Sequence, residues 1–357
     1  MSVHKDNRTG KWFSMVYYDD AYGKRKQKCK RGFKTKREAL DWESEFLKAD
    51  YGQADMLYST FARLYMDSVR PRLKENTVIT KENIFEHHIL PYFGKKKLNE
   101  ITPAQVANWQ VTIMKKKKDN GEPFSPLYLK TIHNQLSASF NYAVRFYHLP
   151  SNPAAIAGNM GKTNGKEMLF WTRDEYSKFS KAVMDKPMSY YAFEVLYWTG
   201  MREGELLALT PDDFDFEAKT VRIDKSYQRL YGTDVITDPK TPCSIRTVTI
   251  PDFLCEEVKE YLQFMDGIKG NERMFPITKH FLWHEMRRGS ELAGVKRIRV
   301  HDLRHSHVSL LIDMGFPPIA IAARVGHKTI SITFRYAHLF PSVQNELASK
   351  LNNMKEY

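Results

Sequence analysis

A handful of side chains in the second half of the sequence have the types and the order for chemistry on a phosphodiester. Arg202 lies in Thr199-Gly200-Met201-Arg202-Glu203-Gly204-Glu205. His301 and Arg304 stand in His301-Asp302-Leu303-Arg304, His327 follows Gly326, and Tyr336 sits in Phe334-Arg335-Tyr336-Ala337-His338. Cutting a phosphodiester without a metal requires that the negative charge building on a pentacoordinate phosphorus be stabilised. It also requires a nucleophile, and a proton for the departing oxygen. Guanidinium groups meet phosphate oxygens in a planar bidentate fork and stay charged at any working pH, so Arg202 and Arg304 suit the first task. The Tyr336 phenol, with a free pKa of about 10, is a weak nucleophile at neutral pH and needs an arginine field and a nearby imidazole to ease its deprotonation. Glu205, one helical turn after Arg202, is placed to orient that guanidinium.

Each residue alone has an ordinary reading. A tyrosine near a C-terminus is usually a packing residue, a histidine after glycine often marks a helix end, and His305, His307 and His338 offer competing imidazoles. His301, His305 and His307 raise the question of a metal, but no acidic or cysteine partner stands at ligand spacing, so no metal and no cofactor are expected. Cys29, Cys243 and Cys255 lie far apart without a CxxC pair, which suggests neither a disulfide framework nor a zinc site. The net charge of +13 points to a polyanionic partner, nucleic acid first. No apolar run approaches a membrane span, Met1 to Gly10 has no apolar signal core, and a reducing cytoplasm fits.

Taken together, Arg202, His301, Arg304, His327 and Tyr336 resemble the tyrosine recombinase (phage-integrase) family in order and in local sequence, most fully over residues 170–340. The resemblance implies that His301 and His327 hydrogen-bond the scissile phosphate, with His301 the proton acceptor for Tyr336. It makes Lys240, in Asp238-Pro239-Lys240-Thr241, the general acid for the leaving 5′ oxygen, with Lys219 and Lys225 as nearby competitors. The products would be a 3′-phosphotyrosine and a 5′-hydroxyl, and a second DNA end could reverse the step without ATP. The implied enzyme is a site-specific integrase of a mobile element. It would act as a homo-tetramer on double-stranded DNA through a Holliday junction, with an excision factor or a host DNA-bending protein as further partners. A host-type resolvase, a type IB topoisomerase and a catalytically inactive DNA-binding regulator are the alternatives.

The elements that must position these residues form a multidomain, mainly α chain with small β elements. Residues 1–50 read as a small strands-plus-helix domain. Lys11 to Tyr18 is one strand, and a basic strand with Lys24, Arg25, Lys26, Lys28, Lys30 and Arg31 is the next. Thr35-Lys36-Arg37-Glu38 is a capping box opening a helix to about Lys48. This segment resembles the arm-type DNA-binding domain of many integrases, and a basic sheet face could enter a DNA groove. Residues 56–155 read as helical. Helices cover about Ser59 to Val69 and Glu75 to Ile89, Pro91 to Gly94 is a turn, and further helices start at Thr102-Pro103 and Ser125-Pro126. The connection Lys115-Lys116-Lys117-Lys118 is a candidate phosphate contact, and the whole resembles the family's core-binding domain. Ser151 to Lys166 reads as an interdomain linker. Residues 166–357 form an α+β catalytic domain with strands near 220–223, 234–237 and 247–250. Its tail carries an apolar stripe, Val343, Leu347, Leu351 and Met354, suited to docking on its own domain or on a neighbouring subunit.

Overall fold

The computed structural model describes residues 3–19, 25–48, 55–161, 168–239, 242–329 and 336. The chain divides into two compact units, Met1–Gly165 and Lys166–Tyr357. The expected tail helix and Lys240 lie outside the described residues, as does Lys24.

The first unit opens with an antiparallel sheet of β1 (Val3–Lys5), β2 (Trp12–Asp19) and β3 (Arg25–Phe33), followed by α1 (Lys36–Lys48). β1 was not expected, because Val3 is its one apolar residue and three residues show no period. Val3, Val16 and Ser14 are buried with Ala39 and Phe46 of α1, and the Ser14 hydroxyl donates to Glu43 Oε2 (3.2 Å). Thr35 accepts from the Glu38 N–H as read, but the Glu38 carboxylate takes the N–H of Lys34 rather than that of the cap. Register pairs Phe13 with Arg31, Met15 with Cys29 and Tyr17 with Gln27 on the sheet face opposite Ser14 and Val16. The expected basic face is therefore divided. Arg25 and Arg31 lie over the rings of Tyr17 and Phe13, 5.3 and 5.5 Å from the centroids. Lys28 and Lys30 pair with Val16 and Ser14 on the helix side, where Lys30 lies over Trp42, and Lys26 falls at a register position of that same side.

The rest of this unit is helical: α2 (Tyr58–Val69), α3 (Glu75–Ile84), α4 (Leu90–Phe93), α5 (Pro103–Lys115), α6 (Pro126–Phe146) and α7 (Pro153–Ala157). Thr102 and Ser125 cap α5 and α6 through their hydroxyls, each followed by proline at the first helical position. Phe61, Phe93, Trp109, Leu136 and Phe140 are fully buried in one core. The expected stop at Pro91 is not observed. Residues Phe85–Ile89 form a π turn that carries the chain into α4, with Pro91 in its first turn, where a missing N–H costs nothing. Nor is Asn152–Ala157 a linker. Asn152 caps α7 at the N–H groups of Ala154 and Ala155, and its amide donates to Ser137 O, Ser137 Oγ and Asn141 Oδ1. Asn-Pro is itself a helix-start signal, which the small polar residues around it obscured.

The second unit begins with α8 (Arg173–Ala182), opened by the Thr172–Glu175 capping box, and α9 (Pro187–Thr199), buried along most of its length. After α10 (Glu203–Leu206), β4 (Phe214–Asp215), β5 (Thr220–Ile223) and β8 (Arg246–Thr249) form one antiparallel sheet, while β6 (Ser226–Leu230) and β7 (Thr233–Thr237) form a separate hairpin. β4 and β6 were not anticipated: the first has two residues, and Ser226-Tyr227-Gln228-Arg229 is polar. α11 (Asp252–Phe264), α12 (Lys279–Ala293), α13 (Asp302–Asp313) and α14 (Pro318–Val325) complete the unit. Its core packs Phe179, Phe193, Leu206, Val221, Phe275 and Leu303, all fully buried.

Asn152→Ala removes both the cap and the ties to α6, and should lower the stability of the helical core by about 1–3 kcal/mol in urea unfolding. Asn152→Asp keeps the cap and should cost less. Equal losses would mean that the cap contributes nothing.

Candidate active site

Two left-handed glycines set the geometry. Gly200 ends α9 at φ 65°, and a Cβ there would lie 2.5 Å from His307 Cδ2. Gly326 ends α14 at φ 69°, where a Cβ would lie 2.9 Å from the Cys243 carbonyl and 3.2 Å from Arg246 Cδ. Only glycine tolerates both the backbone conformation and the close approach. Each turn delivers a polar residue at once: Arg202 caps α10, and His327, whose N–H donates to Ala322 O (3.0 Å), leaves α14.

Glu205 holds the centre. It is 2 % exposed and receives the Arg202 backbone N–H (2.9 Å), Arg202 Nη1 (2.7 Å) and Arg246 Nη2 (2.9 Å). Arg202 Nη2 also donates to Gly326 O (3.2 Å), joining the two glycine turns. Arg246 Nε donates to Arg324 O (2.9 Å), and Arg324 donates to His307 Nε2, Thr249 O and Trp198 O. Arg304, in the first turn of α13, donates from Nη1 to Gly200 O (2.8 Å). Its buried Nη2 has no partner among the described residues. His301 stands at the N-cap position of α13 without a side-chain capping bond, and its ring stands edge-on to that of His305 at 5.3 Å. Tyr336 is 2 % exposed, packed with Val308, Ile312, Ile321 and Val325, and its hydroxyl is hydrogen-bonded to His305 Nδ1.

Residues 170–342 match the phage integrase family, residues 2–50 an arm DNA-binding domain and residues 57–114 the phage integrase N-terminal SAM-like domain. The chain belongs to the phage integrase family. It is a tyrosine recombinase of the integrase type. It is 28 % identical over 341 residues to the ICEBs1 integrase of Bacillus subtilis (strain 168), with 90 % of each chain covered. In fold it is similar to the Tn1549 transposon integrase solved with transposon right end DNA, at a TM-score of 0.67 and 18 % identity over 82 % of this chain and 99 % of that one. It is also similar to a lambda integrase tetramer bound to a Holliday junction, at a TM-score of 0.60 and 18 % identity over 95 % of each.

Of the integrase residues expected from sequence, Arg202, Glu205, His301, Arg304, His327 and Tyr336 stand on the α9–α10 turn, α10, α13 and the segment from the α14 cap onward. Arg304 lies within electrostatic reach of Arg202, Glu205 and Tyr336, and His327 within reach of both arginines. The competitors of Lys240 are engaged elsewhere, Lys225 with Asp213 (2.6 Å) and Lys219 with Asp252 (2.8 Å). The Tyr336 phenol is hydrogen-bonded to His305, a residue beside the His301 that the resemblance implies as its proton acceptor. Arg246 and Arg324 also carried no assigned role, although Arg246 stands in the segment after Lys240 and His305 lies one helical turn from His301. Among the described residues no cluster of three or more histidine, cysteine or acidic side chains could hold a metal, and no helix is long and apolar enough to cross a membrane. In the other unit, Lys115 to Lys118 are exposed. Lys116 Nζ donates to His87 O (3.2 Å), and Lys118 Nζ to Glu122 Oε2 (3.2 Å).

Burial opposes charge on Glu205, but Arg246 and Arg202 outweigh it and hold the carboxyl below the usual range. Burial and the charges of Arg202 and Arg246 draw Arg304 down to about 9, still a cation at neutral pH. Burial, then Arg324, takes His307 down to about 3. Burial, then Arg304 and Arg202, takes His327 to about 3. Desolvation, then the charges of His305 and Arg304, pulls His301 down to about 4, although the residue keeps solvent access.

These shifts set a pH dependence of stability. An unfolded histidine titrates near 6.5, so the unfolded chain binds more protons than the folded one below that pH. Stability is full above about pH 7 and falls as the pH drops through 6.5 towards 3, with a slope of up to ~1.4 kcal/mol per pH unit for the buried His307 and less for the more exposed His301 and His327. His307→Gln should flatten the fall in urea midpoint between pH 6.5 and 5. An unchanged slope would show that His307 takes up its proton without unfolding.

Proposed function

We propose that this integrase cuts DNA by attack of Tyr336 on a phosphodiester held between Arg202 and Arg304. His301 and His327 hydrogen-bond the phosphate, and Lys240 protonates the leaving 5′ oxygen. The observation that carries this reading is the Nη2 of Arg304, which has no partner among the described residues. A buried N–H without an acceptor costs about 1–3 kcal/mol, more when charged, and a phosphate oxygen removes that cost. Arg202, Arg246 and Arg304 gather around the single carboxylate of Glu205, so the site carries excess positive charge where a phosphorane would develop it in the opposite sign. Engagement of Lys219 and Lys225 elsewhere supports Lys240 as the acid. Product and intermediate are the 3′-phosphotyrosine and the 5′-hydroxyl, joined to a second duplex through a Holliday junction by a tetramer in the cytoplasm. The lambda integrase tetramer on such a junction supports that assembly.

We read the chain as three domains, 1–50 for arm-type sites, 56–155 for core sites, and 166–357 for catalysis. The arm-domain match at residues 2–50 favours integration over a host-type resolvase. Arg25, Arg31, Lys28 and Lys30, with Lys24 and Lys26 beside them, are the proposed arm contacts, and Lys115 to Lys118 the proposed core contacts.

On a nicked core-site substrate, the wild type should form a covalent adduct that survives boiling in SDS, in EDTA as well as in magnesium. With two end duplexes it should yield four-way junctions. Tyr336→Phe should bind the same DNA and form no adduct. Adduct at the wild-type rate in Tyr336→Phe, or cleavage that needs magnesium, contradicts the proposal.

A chain beginning at Asp55 should cleave core sites but integrate poorly, and its footprint on full element ends should lose the distal protections. Identical footprints with and without residues 1–54 would refute the arm-site assignment.

A further inference from the structure

His305 has no role in the reading above, yet its ring is hydrogen-bonded to the phenol oxygen of Tyr336. Nδ1 is hydrogen-bonded to Tyr336 Oη, with ring centroids 5.6 Å apart and planes tilted by 55°. At the opposite edge, Nε2 lies 3.8 Å from Asp302 Oδ1. Asp302 is 1 % exposed and fixed by Arg299, which donates from Nε to both carboxylate oxygens (3.1 and 3.0 Å) and from Nη2 to Oδ1 (2.7 Å). Among the described residues, the charged and titratable groups around His305 are Asp302, Arg299, His301 and Arg304 from its own segment. From later in the chain come Tyr336 and the more distant His327.

We propose that His305 is the general base of the cleavage step: its Nδ1 takes the Tyr336 proton as Oη attacks phosphorus. The inference rests on Tyr336 being the nucleophile. Asp302 favours the tautomer with the proton on Nε2, which leaves the Nδ1 lone pair for the phenol. Burial, Arg299 and Arg304 keep the ring neutral and able to accept, while Asp302 opposes them and steadies the imidazolium once formed. In the step, the P–Oη bond forms and the P–O5′ bond breaks. One proton passes from Oη to Nδ1, and another passes from the general acid to O5′. In religation the 5′-hydroxyl returns its proton to the general acid as O5′ attacks phosphorus, the P–Oη bond breaks, and the proton on Nδ1 returns to Oη. His301, which is exposed, is then left to the phosphate rather than to the phenol. Helical spacing brings His301 and His305 to one face, and only the tertiary contact distinguishes their roles.

The test is the single-turnover rate of adduct formation by the full-length protein on nicked core-site DNA from pH 6 to 9.5. The wild-type rate should level off above about pH 7. His305→Gln, which can hydrogen-bond the phenol but not take its proton, should be about 100-fold slower or more at pH 7. Its rate should then climb about tenfold per pH unit towards the phenol's own pKa of about 10. The defect should persist on a substrate with sulfur in place of the bridging 5′ oxygen, whose thiolate leaves unprotonated. His305→Ala should regain cleavage with added imidazole. A wild-type rate in His305→Gln overturns the proposal. So does a slow rate whose pH profile runs parallel to the wild type, in a protein that still binds DNA and gains nothing from imidazole. An adduct in Tyr336→Phe would instead overturn the assignment of the nucleophile beneath it.

Discussion

The contact on which the site depends is the buried carboxylate of Glu205 between Arg202 and Arg246. Guanidinium groups repel one another, and desolvation amplifies the repulsion; a single carboxylate bridging two of them makes the gathering stable. Removing it would leave buried charge uncompensated, which is among the costlier losses a fold can suffer. Glu205 does not neutralise the group. Arg304 is pressed by Arg202 and Arg246 and keeps its buried Nη2 without a partner among the described residues. The pocket is complementary to an anion that arrives with the substrate, and more so to the charge of a pentacoordinate phosphorus.

The rest of the unit serves that arrangement. Gly200 and Gly326 let two helices stop where their next residues face the same place, and Arg246 and Arg324 carry β8 and the α14 cap to them through backbone carbonyls. Burial, with the arginine field behind it, keeps the imidazoles uncharged, which suits hydrogen bonding to a phosphate and acceptance of a proton from a phenol. Tyr336 is bound into the same field through His305 while its ring is packed in an apolar cluster.

Much of this was legible in the sequence because it is local. The Thr172–Glu175 box, the Ser125-Pro126 start and the Gly200 cap are written in adjacent residues, and so is the Arg202–Glu205 pair at helical spacing. What escaped depends on tertiary context. The π turn through Phe85–Ile89 lets a helix pass Pro91, where the proline rule alone predicts a stop. β1 and β4 are too short to show a period. Arg246 is an ordinary strand residue until its partner, 41 positions away, is known. His301 and His305 are indistinguishable by spacing, and only the position of Tyr336 separates them.

The central claim is that one phenol, Tyr336, attacks a phosphate collected by these arginines. Its most direct test is to trap the protein on nicked core-site DNA, digest the adduct with protease and nuclease, and sequence the modified peptide by mass spectrometry. The account predicts a nucleotide joined through its 3′ phosphate to Tyr336. Attachment to another residue, or through a 5′ phosphate, would contradict it.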